Sequence, residues 1–99
     1  MIKIICCNGR INVQGHAGYA PPGQDIVCAA ISTLTQVFVA SMEQLTTDNI
    51  KAVIEPGNAV IEHGNLTDEG KLLLDSFFVG IRMIAENYPE YVQLVGDSD

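Results

Sequence analysis

An α+β fold in the order ββαββαβ is what this sequence predicts, and three features predict it. Two pairs of strand-length apolar runs close on turn dipeptides, Asn8-Gly9 and Pro56-Gly57. Each pair is followed by a helix-length run with apolar residues three and four apart. A short apolar run then follows Pro89. A chain of 99 residues, 47% hydrophobic, has material for one core and so for a single domain over 1–99. The simplest packing is a mostly antiparallel sheet with both helices against it.

The first hairpin rests on Asn8-Gly9, since an Asn-Gly pair readily takes the two positive φ angles of a tight hairpin turn. Closing it pairs Cys7 with Arg10, Cys6 with Ile11, Ile4 with Val13 and Ile2 with Gly15. One face then carries Ile2, Ile4, Cys6, Ile11 and Val13. The other carries Lys3, Ile5, Cys7, Arg10, Asn12 and Gln14. This is the pattern of a sheet covered on one side, with Cys6 a small core residue and Cys7 on the open face. Residues 18–23 form a breaker-rich loop. Asp25 then stands where an N-cap belongs, ahead of a helix expected from Ile26 to about Leu45. Its expected buried stripe is Ile26, Ala30, Leu34, Val37, Phe38, Ser41 and Leu45.

Residues 46–49 end that helix. Residues 51–55 and 58–62 pair around Pro56-Gly57, a type II turn dipeptide, which sets Lys51 opposite Glu62. Thr67 caps a second helix to about Asn87, with Leu73, Phe77, Ile81, Ile84 and Tyr88 as its main stripe and Leu74, Phe78 and Ala85 beside it. Pro89 stops it, and residues 91–95 add an edge strand.

Composition narrows the function. The net charge of −7 is uneven: residues 1–42 contain Lys3, Arg10 and Asp25, whereas residues 43–99 hold eleven acids against Lys51, Lys71 and Arg82. Such a surface repels phosphate backbones, so no direct nucleic-acid partner is expected, and it attracts basic polypeptides. The same charge also serves plain solubility. Three cysteines cannot all pair within one chain. Cys6 and Cys7 point to opposite faces of a strand, and neither His16 nor His63 has a companion at metal-ligand spacing, so no metal or cofactor is expected. Residues 1–7 read as a strand and not as a leader. No stretch approaches the ~20 apolar residues of a membrane span, so a cytoplasmic protein is expected, with no membrane partner.

The passage richest in chemistry is Gly15-His16-Ala17-Gly18, followed by Gly23 and by Asp25-Ile26-Val27-Cys28. With Asp25 as N-cap, Cys28 falls in the first helical turn, where free N–H groups and the peptide dipoles favour an anion. A helix terminus contributes only ~0.3–1 kcal/mol, less than the roughly 1.36 kcal/mol of a tenfold change in ionisation. An imidazole neighbour is what makes thiolates in Cys–His pairs. His16 is the candidate, with His63 in reserve. Ser32, one turn after Cys28, has two open roles: donating to the sulfur or bonding the carbonyl of residue 28. Asp25 likewise caps the helix, orients His16, or both. A cap there would occupy the N–H near Cys28, so an oxyanion would need another donor, from the loop at 17–24. The plain alternative for the pair is a small buried cysteine and a polar loop histidine that never meet.

These residues, with Ala29 and with Ser32 four positions after Cys28, resemble the motif of the ribosomal-processing cysteine protease (Prp) family, and length and element order agree over the whole chain. The resemblance implies a cytosolic Cys–His endopeptidase with Cys28 as nucleophile and His16 as base. It places Asp25 and Ser32 as supports and Gly15, Ala17, Gly18, Tyr19 and Gly23 in a substrate loop. The implied substrate is the short N-terminal extension of a basic large-subunit ribosomal protein, or a phage capsid or scaffold protein. Aromatic residues ending that extension imply an apolar pocket, and the family implies a homodimer. Pro21-Pro22 departs from the pattern by stiffening a loop expected to move. Two other classes stay open on the residues: a non-catalytic module binding a basic ribosomal peptide, and a thiol redox sensor on Cys7 or Cys28.

Overall fold

The structure is a computed structural model that describes residues 1–96. The elements are β1 (Ile2–Cys7), β2 (Arg10–Gln14), α1 (Ile26–Leu45), β3 (Ile50–Glu55), β4 (Asn58–His63), α2 (Asp68–Asn87) and β5 (Val92–Val95). Both hairpins close as their dipeptides require. Asn8 and Gly9 take φ of 49° and 77°, and Gly57 takes 75°. The five strands lie in the order β3-β4-β2-β1-β5, antiparallel except for β5 beside β1. Lys51 faces Glu62 as expected. The first ladder ends at Lys3 opposite Gln14, one pair short of expectation. Ile2 pairs with Val92 instead, and the Gly15 N–H turns to the Gly57 carbonyl at 2.8 Å.

Alternation puts Ile2, Ile4, Cys6, Ile11, Ile61 and Val92 on one sheet face, all buried in a single cluster with both helices. The other face keeps Lys3, Cys7, Arg10, Lys51, Glu55 and Glu62 exposed. α2 buries Leu74, Phe77, Phe78 and Ile81 near its expected stripe, and Gly80 lets α1's Leu34 come close: a Cβ there would lie 2.9 Å from its Cδ1. Thr67 caps α2 by accepting from the Gly70 N–H, and is itself held by Asp48, whose carboxylate accepts from both the Thr67 N–H and its hydroxyl. The Thr67 hydroxyl is the first reason that the Asp48 carboxyl is held below its ordinary value.

α1 corrects two expectations. Its buried residues are Val27, Ile31, Thr35, Phe38 and Met42, whereas Ile26, Val37 and Leu45 are exposed. The expected stripe is displaced by about one residue because α1 carries a single charge, Glu43, and its pattern hardly distinguishes its sides. Thr35 is tolerated inside because its hydroxyl donates to the Ile31 carbonyl at 2.8 Å. α1 is also long and apolar enough, by length and composition, to cross a membrane, contrary to the reading that no stretch approaches this. Its inner stripe is nonetheless part of the sheet's core.

Replacing Phe78, fully buried, by alanine removes a large side chain from the centre of that core. Urea unfolding should show a loss of about 3–5 kcal/mol for Phe78→Ala. Leu45→Ala, at a side chain 68% exposed, should stay within about 0.5 kcal/mol of the unmodified chain.

Candidate active site

Three segments distant in sequence meet at the end of the sheet where β2 finishes. Past β2, Gly15 (φ 94°) runs so close to residue 1 that a Cβ would lie 2.5 Å from the Met1 carbonyl oxygen. His16 follows, exposed, with its ring over the β3–β4 turn: a Cβ on Gly57 would sit 2.7 Å from His16 Nε2. Next, Ala17 is buried, and its backbone N–H donates to Cys28 Sγ at 3.2 Å. Cys28, the third residue of α1, is half-buried and unpaired.

Asp25 joins the loop to the helix. One carboxylate oxygen accepts from the Val27 and Cys28 amides at 3.0 and 2.9 Å, the N-cap expected of it. The other accepts from the Tyr19 and Ala20 amides at 3.0 and 3.5 Å. All four donors are backbone groups, and His16 is not among them. The Cys28 amide, first among these bonds, holds the Asp25 carboxyl below its ordinary value; partial burial opposes it, and the other amides add to it. The Cys28 N–H is thereby spent, as a cap at Asp25 requires. Ser32 is exposed and, among the described residues, forms neither of the two hydrogen bonds considered for it.

His16, Cys28 and Ser32 line two cavities at once. One, of about 220 Å³, extends over Ile31, Gln36 and Glu55 beside the β3–β4 turn. The other, of about 570 Å³, is walled by Gly18, Ala20, Pro22, Gly23 and Ala29 and is largely apolar. No hydrogen bond joins the imidazole to Sγ among the described residues; the two groups share the cleft without touching in this way. A larger cavity, about 680 Å³, lies at the other end of β2 around Asn8 and His63, and neither Cys28 nor His16 borders it. His63, the reserve partner, is thus placed away from the sulfur. Among the described residues no group of three or more metal-ligating side chains forms. Nothing in the sequence marked Gly57 as the surface beneath His16 or the Ala17 amide as the donor to sulfur, because both depend on how the hairpins stack.

The family model described as cysteine protease Prp matches residues 1–93. The ribosomal processing cysteine protease Prp of Mycoplasma pneumoniae is 26% identical over 94 residues, covering 93% of this chain and 91% of that one. Among solved structures, the essential ribosomal processing protease Prp from S. aureus, in complex with a covalently linked product peptide, superposes with a TM-score of 0.85 at 26% identity over 95% of each chain. The S. aureus protease with a substrate peptide gives 0.78 at 25% identity over 94% of each. SMU.848 from Streptococcus mutans gives 0.71 at 33% identity, covering 95% of this chain and 90% of that one.

The lowered Asp25 carboxyl has a direct consequence for stability. A group whose folded pKa is depressed stabilises the fold above its unfolded value, about 3.9, and that contribution is lost as pH falls through the lower folded value. Asp25→Asn keeps one acceptor oxygen and loses the other. Thermal unfolding should therefore show the unmodified chain melting above the variant by a constant margin at pH 5 to 7, roughly, and the margin shrinking as pH drops below about 4. The Asp48 contribution is common to both proteins and cancels in the difference.

Proposed function

The chain belongs to the Prp family of cysteine proteases, and on that premise we propose that Cys28 and His16 cleave the short N-terminal extension from a basic bacterial ribosomal protein in the cytoplasm. The observation that carries the assignment is the half-buried Cys28 sulfur, which accepts the Ala17 N–H at the mouth of two cavities that His16 also lines. The S. aureus relative holds a product peptide in covalent linkage, and a covalent route is proposed for this chain too.

The steps follow from the groups present. His16 takes the proton from Sγ, and the thiolate attacks the carbonyl carbon of the scissile peptide. With the Cys28 N–H already given to Asp25, the Ala17 N–H is the donor proposed for the oxyanion. As the C–N bond breaks, the imidazolium passes its proton to the leaving amine. A water then gives its proton to His16, attacks the thioester, and releases the acid while sulfur recovers a proton. The imidazole must turn from its place over Gly57 to do this, and catalytic hydrogen bonds are commonly loose until substrate binds. Asp25 and Ser32 support the site, the first by fixing the loop to the helix and the second from the cleft wall.

The larger of the two cavities that Cys28 lines, the apolar one, takes the aromatic side chain at the end of the extension. The net charge of −7 supports a basic peptide partner and opposes direct nucleic-acid binding. A homodimer is part of the proposal; the exposed Ile26, Val37, Val79 and Met83 on the two helices give a second copy apolar surface to cover.

Incubating the chain with a peptide carrying the aromatic extension should give two products by mass spectrometry. Cys28→Ala should abolish them, and His16→Ala should reduce the rate by at least about a hundredfold. Undiminished cleavage by Cys28→Ala excludes this mechanism. Binding of several such peptides without turnover points instead to a non-catalytic peptide-binding module.

A further inference from the structure

All three tyrosines of the chain, Tyr19, Tyr88 and Tyr91, meet at one place beside the cleft. The Tyr19 ring stands edge-on to Tyr88 at 5.6 Å and 86°, and to Tyr91 at 5.2 Å and 79°. These are favourable arrangements, in which a ring's positive edge meets a negative face. Two of the rings belong to the body of the fold. Tyr88 is the C-cap of α2, the Tyr91 N–H donates to its carbonyl, and the Tyr91 carbonyl accepts from Ile2 on β1. Both pack against the core. Tyr19 alone is on the loop, 42% exposed.

We propose that Tyr88 and Tyr91 are positioning residues for peptide cleavage, acting through Tyr19 to hold the loop that walls the larger cavity at its distance from Cys28. This rests on the reading of the Cys28 cleft as the peptide site. The loop has few other fixings. Ala17 is buried at its start, and Asp25 holds the Tyr19 and Ala20 amides. Beyond these, the Ala17 N–H donates to Cys28 Sγ at the start of the loop, and the Gln24 N–H donates to the Pro21 carbonyl at 3.0 Å, a bond internal to the loop. Among the described residues, Pro22 and Gly23 of the cavity wall form no hydrogen bond to the body of the fold, so the ring contact acts with the Asp25 clamp on Tyr19 and Ala20 to place them. The stiffness of Pro21-Pro22 makes this effective, since a rigid segment pinned at one end moves as a unit. The aromatic cluster accordingly tunes binding more than the chemical step.

The test compares Tyr19→Ala and Tyr19→Phe with the unmodified chain in two assays. The first is cleavage of the extension peptide. Tyr19→Ala should raise KM by about two- to tenfold, the size of one or two aromatic edge contacts, with kcat changed less than about twofold. The second is alkylation of Cys28 by a small reagent, followed at that residue by mass spectrometry so that exposed Cys7 does not interfere. Loosening the wall should speed it by a similar factor. Tyr19→Phe, which keeps the ring edge and face, should restore both values. Combining Tyr19→Ala with Tyr91→Ala should raise KM no further, because Tyr19→Ala alone already removes the Tyr19–Tyr91 contact. Unchanged KM and alkylation in Tyr19→Ala overturn the proposal, as does a Phe variant no better than the Ala variant. Alkylation requires no turnover, so a chain that fails to cleave refutes the peptidase reading while this arm still judges the aromatic latch.

Discussion

The Asp25 carboxylate is the constraint on which the site depends. It collects four backbone N–H groups from two segments, two at the start of α1 and two from the loop before it. A neutral cap with one acceptor oxygen would satisfy the helix alone. The second oxygen turns a capping residue into a clamp, fixing where Tyr19 and Ala20 run relative to Cys28. The lowered carboxyl is the electrostatic signature of this arrangement, since amide donors favour the charged form. Helix start, sulfur and loop are one unit.

Legibility in the sequence follows how local the determining interaction is. Both hairpins and their registers were readable because two-residue turns fix pairing within a few positions, and Lys51 opposite Glu62 came out as expected. The Asp25 and Thr67 caps were readable for the same reason. The inward side of α1 was not. An amphipathic pattern needs polar residues on one side, and with Glu43 as its only charge α1 offers little contrast. Sheet order was legible only in outline, because β5 reaches β1 through a parallel pairing that depends on where α2 ends. His16 and Cys28 could be nominated from the glycine-flanked motif. Their shared cleft could not be derived, since it requires the β3–β4 turn to lie beneath the imidazole. Tyr88 and Tyr91, some seventy residues from Tyr19, left no local trace of their contact with it.

The way donors are allocated around Cys28 sets which backbone groups face the sulfur. Capping by Asp25 consumes the Cys28 N–H, the amide that a free helix terminus would have offered to an anion. What remains of the helix contribution is the dipole, worth ~0.3–1 kcal/mol at an exposed end. Among the described residues, the Ala17 N–H at 3.2 Å is the backbone donor that the sulfur receives in place of the Cys28 N–H. That donor comes from the chain bearing His16, one residue along. The imidazole proposed as base and the amide on the sulfur are therefore carried on the same short segment, held by the buried Ala17 side chain. A displacement of this segment would carry the imidazole and the amide donor away from the sulfur together. The proposed pairing of Cys28 with His16 thus depends on the segment after β2 being docked, and the clamp at Asp25, with the β3–β4 turn beneath His16, keeps it there.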